Sequence, residues 1–254
     1  MPRYFIEVAY KGTNYSGFQV QENANTIQAE IEKAFRILHG NNLLLTGSSR
    51  TDAGVHAVQN FFHFDLEENL NQRFVYKMNA LLPKDVVVNR VVQMPFDAHC
   101  RFDATSREYR YHIHRLKNPF VQQTSFYFPY KLDFELMQQA SEIVLQQTNF
   151  FAFSKTNTQV KTFNCKILRS EWLIEGDSFT YTIEANRFLR GMVRSITASL
   201  LKLGRHKIAI EQFQSLFTAE QKAGTSVPAH GLFLVGVKYP ENYFPATGMS
   251  FTAF

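Results

Sequence analysis

The chain has 254 residues, with 27 Lys and Arg against 22 Asp and Glu, a formal net charge of +5. Its 45% apolar and 19% charged content is that of a folded globular protein, because disordered chains carry too little apolar surface to offset chain entropy. No apolar run approaches the roughly 20 residues of a membrane-spanning helix. The start, MPRYFIEVAY, has no basic region ahead of an apolar core, so no signal peptide is expected. The two cysteines, Cys100 and Cys165, lie far apart, which excludes a disulfide scaffold and a zinc ribbon and fits a reducing, cytoplasmic address. The mild positive excess suits a polyanionic partner without requiring one.

Residues 3–10 (RYFIEVAY) read as a strand leading into a polar, glycine-containing loop, KGTNYSGFQVQENAN. A helix is predicted over 26–39, where Ile27, Ile31, Ala34, Phe35 and Leu38 recur on one face. Asn25 can cap it, Gln28 falls at the capping-box position, and Gly40 suits a left-handed terminal residue. Residues 43–46 and 55–64 read as strands joined by GSSRTDAG. A helix near 70–82 stops at Pro83, and 86–92 is a further strand.

Residues 107–116 (REYRYHIHRL) alternate and predict a strand, and 134–145 a helix. Residues 163–174 and 179–185 predict a hairpin across EGDS. A long helix over 186–203 closed by Gly204, a shorter one over 209–217 and a strand over 232–239 complete the pattern. Strands and helices intermix throughout, which indicates an α/β or α+β fold. Each half holds a strand, a loop and a long amphipathic helix, compatible with a distant duplication. Residues 118–130 (NPFVQQTSFYFPY) are the least organised and mark a boundary or crossover.

The most informative segment is GSSRTDAGVHA, residues 47–57. Arg50 and Asp52 are two apart, so in extended geometry they project to one side and can pair. Asp52 is the only carboxylate in this turn; the next is Asp65. A carboxylate held by an arginine stays ionised and oriented, which suits a nucleophile. The plain alternative is a structural Arg–Asp pair in a hairpin loop. In REYRYHIHRL, Tyr109, Tyr111 and Ile113 share one face, and Arg110, His112 and His114 the other. A tyrosine row beside basic residues can stack unpaired bases, or it can be an aromatic core face under a basic solvent face. The spacing of His112 and His114, with no Cys or carboxylate partner, does not make a metal site. In NRFLRGMVRSITASLLKLG, Arg187, Arg190 and Arg194 fall at i, i+3 and i+7, one basic ridge on a helix, continued by Lys202, Arg205, His206 and Lys207. Such a ridge tracks phosphates or is simply solvated.

Phosphate-loop, dinucleotide-binding, HExxH, zinc deaminase and GxSxG signatures are absent from the sequence. What remains is an α/β protein with one oriented aspartate, a tyrosine-bearing strand and basic ridges. A non-catalytic RNA-binding module would use the same strand and ridge. A glycoside-type hydrolase would need a second carboxylate as acid, with Asp65, Glu67 and Asp103 as candidates.

GSSRTDAGVHA resembles the catalytic segment of the tRNA pseudouridine synthase A family, whose pattern is G-x-x-R-T-D-x-G-V-H. YKGTNYSGFQVQ, FDAHCRFDATSREYRY, NRFLRGMVRSITASL and GLFLVGVKYP are similar to the family's other blocks, in order, so the resemblance spans essentially the whole chain. It implies the pseudouridine synthase fold: two α/β subdomains, residues 1–105 and 106–254, with a mixed or antiparallel sheet flanked by helices around a central basic cleft. It implies a cofactor-free isomerase, without metal, that converts uridine to pseudouridine at positions 38, 39 and 40 of the tRNA anticodon stem-loop, and a homodimer with tRNA as partner. By position, Asp52 is the nucleophile and Arg50 holds the aspartate and keeps the target nucleotide extruded. Tyr109 stacks on the flipped base, Arg194 pairs with the catalytic carboxylate, and Leu232 lines the uracil pocket. Ser48 and Ser49 replace a more usual small-residue and glycine pair, GFQ stands for GWQ, and FDAHCRFDA is a loose version of FHARFSA.

Overall fold

The structure is a computed structural model that describes residues 1–40, 42–156, 160–245 and 250–252. In chain order its first elements are β1 (Arg3–Tyr10), α1 (Ile27–His39), β2 (Thr46–Gly47), β3 (His56–Asp65), α2 (Phe74–Leu81) and β4 (Val86–Met94). Next come β5 (Ser106–His114), β6 (Phe126–Tyr127), α3 (Phe134–Gln146), β7 (Ile167–Glu175) and β8 (Ser178–Ala185). The chain ends with α4 (Met192–Gly204), α5 (Ile210–Ser215), β9 (Leu232–Lys238) and β10 (Ser250–Thr252). It divides into two compact units, Met1–Thr105 with Leu234–Phe254, and Ser106–Phe233. The mixed α/β content and helix-flanked strands agree with the α/β or α+β fold expected from the sequence.

In the first unit β1 lies between β3 and β4, antiparallel to both; β2 pairs with β3 and β10 with β4. Successive residues of a strand point to opposite faces, and here both faces are buried. On one, Tyr4 stacks on Phe64 at 5.6 Å, and Phe35 of α1 meets Phe64 at 4.8 Å and Phe74 of α2 at 5.2 Å. On the other, Phe5 and Phe61 pack against Tyr239 at 6.0 and 5.4 Å, and Phe61 stacks on Phe244 at 5.8 Å. This double burial explains why FFHF in β3 is apolar without alternation.

The second unit is built on antiparallel β5–β8–β7, with β6 added parallel to β5. The β7–β8 hairpin turns on Gly176 (φ 61°) and Asp177, with Gly at the first central position as a II′ turn requires. Helix α4 is buried nearly all round, and its polar residues bond within the helix: Thr197 Oγ1 donates to Val193 O at 2.8 Å and Ser199 Oγ to Ser195 O at 3.1 Å. Gly204 lets α3 come close, since a Cβ there would lie 2.3 Å from Met137 Sδ.

Several sequence expectations shift. Thr26, not Asn25, caps α1 by accepting from Ala29 N at 3.3 Å. Gln28 is therefore not the capping-box partner; its Nε2 donates to Leu45 O at 3.1 Å and Glu32 Oε1 at 2.8 Å. Gly40 closes the helix at φ 73°, as expected. Strand 43–46 shrinks to Thr46–Gly47, and residues 163–166 lie ahead of β7, with an isolated Asn149–Asn164 bridge. The long helix begins at Met192, six residues late, because Gly191 at its N-cap is left-handed (φ 76°). Arg187 and Arg190 lie in the loop before it, so the three-arginine helical ridge does not form.

Thr26→Ala removes the α1 cap and should lower stability by about 1 kcal/mol, read as a drop in the urea midpoint with an unchanged m-value.

Candidate active site

The turn that carries Asp52 has no regular structure of its own, so its shape must come from what it touches. Strand β2 brings the chain in, β3 takes it away, and Ser48 N donates to Phe61 O at 2.7 Å to close the neck. Val55 N donates to Asp52 O at 3.1 Å across a tight turn in which Gly54 is left-handed (φ 79°). Beneath, Tyr10 OH and Thr51 Oγ1 are 2.8 Å apart, and Asn60 Nδ2 donates to Ser49 O at 2.9 Å.

The loop after β1 is laid against this turn. Phe18 N donates to Thr51 O at 3.1 Å and Gly12 N to His56 Nδ1 at 3.0 Å. The approach is so close that a Cβ on Gly12 would sit 2.0 Å from Val55 O. Gly17 takes φ 112°, which side-chain-bearing residues rarely adopt. Tyr15 OH donates to Asp85 Oδ1 at 2.5 Å. The first half of KGTNYSGFQVQENAN is thus tied down at several points.

Asp52 is half-buried, and Arg50 is exposed. They flank the inward-facing Thr51. The alternative carboxylates are committed elsewhere or displaced. Asp65 pairs with Arg3 at 2.7 Å, Asp103 accepts from His99 N at 2.7 Å and Tyr243 OH at 2.5 Å, and Glu67 is exposed.

In the second unit Tyr109 and Tyr111 part company. Tyr111 is fully buried and donates to Pro228 O at 2.8 Å, and burial pushes its phenol well above the ordinary range. It is core, not a stacking surface. Tyr109 is also buried, though less deeply, and packs edge-on against Phe188 at 5.1 Å. The opposite face of β5 is a mixed ladder and not purely basic: Arg110 pairs with Glu108 at 3.0 Å, and Ser106 Oγ donates to Glu184 Oε1 at 2.5 Å. His112 bonds Thr180 Oγ1 at 3.0 Å, and buried His114 bonds Ser125 Oγ at 2.9 Å.

Arg194 stands in the first turn of α4 and donates through Nε to Val227 O at 2.8 Å, while Val227 N returns a bond to Arg194 O at 3.2 Å. The segment from Val227 to Leu232 is drawn onto β5 at Gly231, where a Cβ would lie 2.8 Å from both His112 O and the Tyr111 ring. Leu232, buried, opens β9. One short segment therefore ties Arg194 and Leu232 to the strand that carries Tyr109. Asp52 and Arg50 belong to the first unit, and Tyr109, Arg194 and Leu232 to the second.

One group of side chains among the described residues has metal-ligand types in proximity, His63, His99 and Cys100. Its donors are already engaged. His99 Nδ1 accepts from Arg101 N and Phe102 N at 3.1 and 3.3 Å, which leaves its proton on Nε2, and Cys100 Sγ donates to Thr46 O at 3.2 Å. The cluster is read as a structural knot at the end of the first unit's sheet.

The folding pattern and the single carboxylate on a pinned turn define an α/β protein built to present one acid group. Residues 6–103 and 147–240 match the family model described as tRNA pseudouridine synthase. The chain is 46% identical over 249 residues to tRNA pseudouridine synthase A of Parabacteroides distasonis, covering 96% of this chain and 99% of that one. It is 44% identical to the protein of that name from Bacteroides thetaiotaomicron (96% and 93% covered) and 34% identical to that from Staphylococcus aureus (94% and 92%). The chain belongs to the tRNA pseudouridine synthase family.

Gly12→Ala forces a Cβ into the Val55 carbonyl and should lower Tm by several degrees, about 2–4 °C for each kcal/mol lost in a domain of this size, with activity falling alongside. A second expectation concerns acid. Burial, with His99 and Arg3 nearby, lowers His63 from 6.5 to about 4. Between those values the unfolded chain holds the proton and the folded chain does not, so stability falls as pH drops from 6.5 toward 4. His99, His112, His114 and His230 shift the same way. His63→Gln should flatten part of that slope in urea midpoints taken from pH 7 to pH 4.

Proposed function

We propose that this protein isomerises uridine to pseudouridine at positions 38, 39 and 40 of the tRNA anticodon stem-loop, with Asp52 as the nucleophile. The observation that carries the reading is the Asp52 turn: a lone carboxylate on a segment held from below by Tyr10 and Asn60 and from the side by the Gly12–Phe18 loop. In the reaction the C1′–N1 bond breaks and a C1′–C5 bond forms; the C5 proton passes to solvent and N1 gains one. No net oxidation occurs, so no redox partner enters. Asp52 attacks ribose C1′ or uracil C6, or triggers a glycal, and every route needs its carboxylate ionised and aimed.

A base inside a stem cannot offer C1′ or C5 to a side chain, so the nucleotide must leave the stack. Tyr109 supplies the ring against which the extruded base stacks, and Leu232 the apolar wall of the uracil site. Arg50, exposed beside Asp52, is assigned to hold the aspartate and to keep the target nucleotide extruded. Arg194, oriented by the Val227 carbonyl, is assigned to the catalytic carboxylate. The working form is a homodimer acting on tRNA in the cytoplasm, where its bacterial relatives' substrate resides. Residues 1–105 and 106–254 serve as the two functional halves. No helix among the described residues is long and apolar enough to cross a membrane.

The test uses an unmodified tRNA with uridines at 38, 39 and 40, mapped by carbodiimide-induced reverse-transcription stops. Wild type should mark those positions, and cytidine in their place should abolish the signal. Asp52→Asn should lose roughly 10³-fold or more in rate while binding tRNA with unchanged, salt-sensitive affinity. Tight binding by wild type with no modification at any uridine would instead favour a non-catalytic RNA-binding module.

A further inference from the structure

Below the Asp52 turn lies a buried polar layer to which the reading above gives no chemical part. Tyr10 ends β1 with its ring in the core, 5% exposed. Its hydroxyl accepts from Asn60 Nδ2 at 3.3 Å, which leaves its own proton for Thr51 Oγ1 at 2.8 Å. Asn60 is completely buried; it also donates to Ser49 O at 2.9 Å and accepts from Phe61 N at 2.9 Å. Asn60 therefore grips the chain three residues ahead of Asp52, at the Ser49 carbonyl, and Tyr10 grips the Thr51 side chain. Phe18 N holds the Thr51 carbonyl from the other side. The peptide leading into Asp52 is fixed at side chain and carbonyl together.

Packing alone does not call for this arrangement. Phe would fill the ring site of Tyr10 equally well, and a buried hydroxyl costs stability unless it is bonded. Here the bonded hydroxyl is spent on the residue beside the reactive carboxylate and not on a strand ladder. Burial also pushes the Tyr10 phenol up to about 12, so it remains a neutral donor at working pH.

We propose that Tyr10 and Asn60 are positioning residues for the isomerisation, acting through Thr51 and Ser49 to set the backbone that aims Asp52. This rests on the reading of Asp52 as the nucleophile. Neither residue touches substrate; they set the carboxylate's approach, and a misplacement well under an ångström slows a reaction that depends on alignment.

The experiment measures single-turnover formation of pseudouridine at saturating enzyme, with tRNA affinity and Tm in parallel. Tyr10→Phe should react roughly tenfold more slowly, with tRNA affinity unchanged, at a temperature where it is fully folded. Thr51→Val should match it, and Thr51→Ser, which keeps the hydroxyl, should recover most of the rate. The double variant Tyr10→Phe with Thr51→Val should be no slower than either single, because both cut one connection. If Tyr10→Phe fails to fold, the contrast between Thr51→Val and Thr51→Ser decides. A wild-type rate in Tyr10→Phe, equal rates in Thr51→Val and Thr51→Ser, or additive losses in the double variant would overturn the proposal. Turnover by Asp52→Asn would instead remove the nucleophile reading, a separate result from any of these.

Discussion

The Asp52 carboxylate stands on a chain segment that has no ladder of its own, so only partners outside the segment can hold it still. Here the turn from Ser48 to Val55 is fixed by hydrogen bonds from three directions: Asn60 and Tyr10 below, Phe18 beside, and its own Val55–Asp52 closure above. Each partner comes from an element anchored for independent reasons. Tyr10 ends a strand bonded on both edges, and Asn60 lies in a strand whose two faces are both packed. The rigidity of the sheet is thereby passed to a loop, which is how a functional group on a turn can be placed with the accuracy of one on a strand.

In the second unit the candidate residues stand on β5, the head of α4 and the start of β9. The link is the short run from Val227 to Leu232, bonded to Arg194 and pressed onto β5 at Gly231. Glycine at 231 is dictated by that approach, and Gly191 by the left-handed entry to α4. Both lie beside candidate site residues, so local backbone demands and function coincide in sequence.

Much of this is legible from the chain. Helix α1 follows from its apolar spacing and Gly40, and β5 from the alternation of REYRYHIH. The Asp52 turn stands out because it joins small residues and a single acid between two β-rich runs. Other features resist reading for definite reasons. The helical period of the sequence runs on through 186–191 because Leu189, buried from a loop, falls in phase with α4. Two-residue spacing tells which side Arg50 and Asp52 share but not whether their charged ends meet. Nothing in an apolar strand pattern separates Tyr10, whose hydroxyl bonds Thr51 in the Asp52 turn, from Tyr4 on the same strand. Tyr111 and Tyr109 likewise share a face and are both buried, and the bond to the Pro228 carbonyl distinguishes Tyr111.

The most direct test of the account follows the proton that isomerisation must expel. An unmodified tRNA transcript tritiated at uridine C5 is incubated with the purified protein and nothing else. The account predicts tritium release into water by wild type and none by Asp52→Asn, which still binds the transcript. Equal release by both proteins, or none by either despite tight binding, would contradict it.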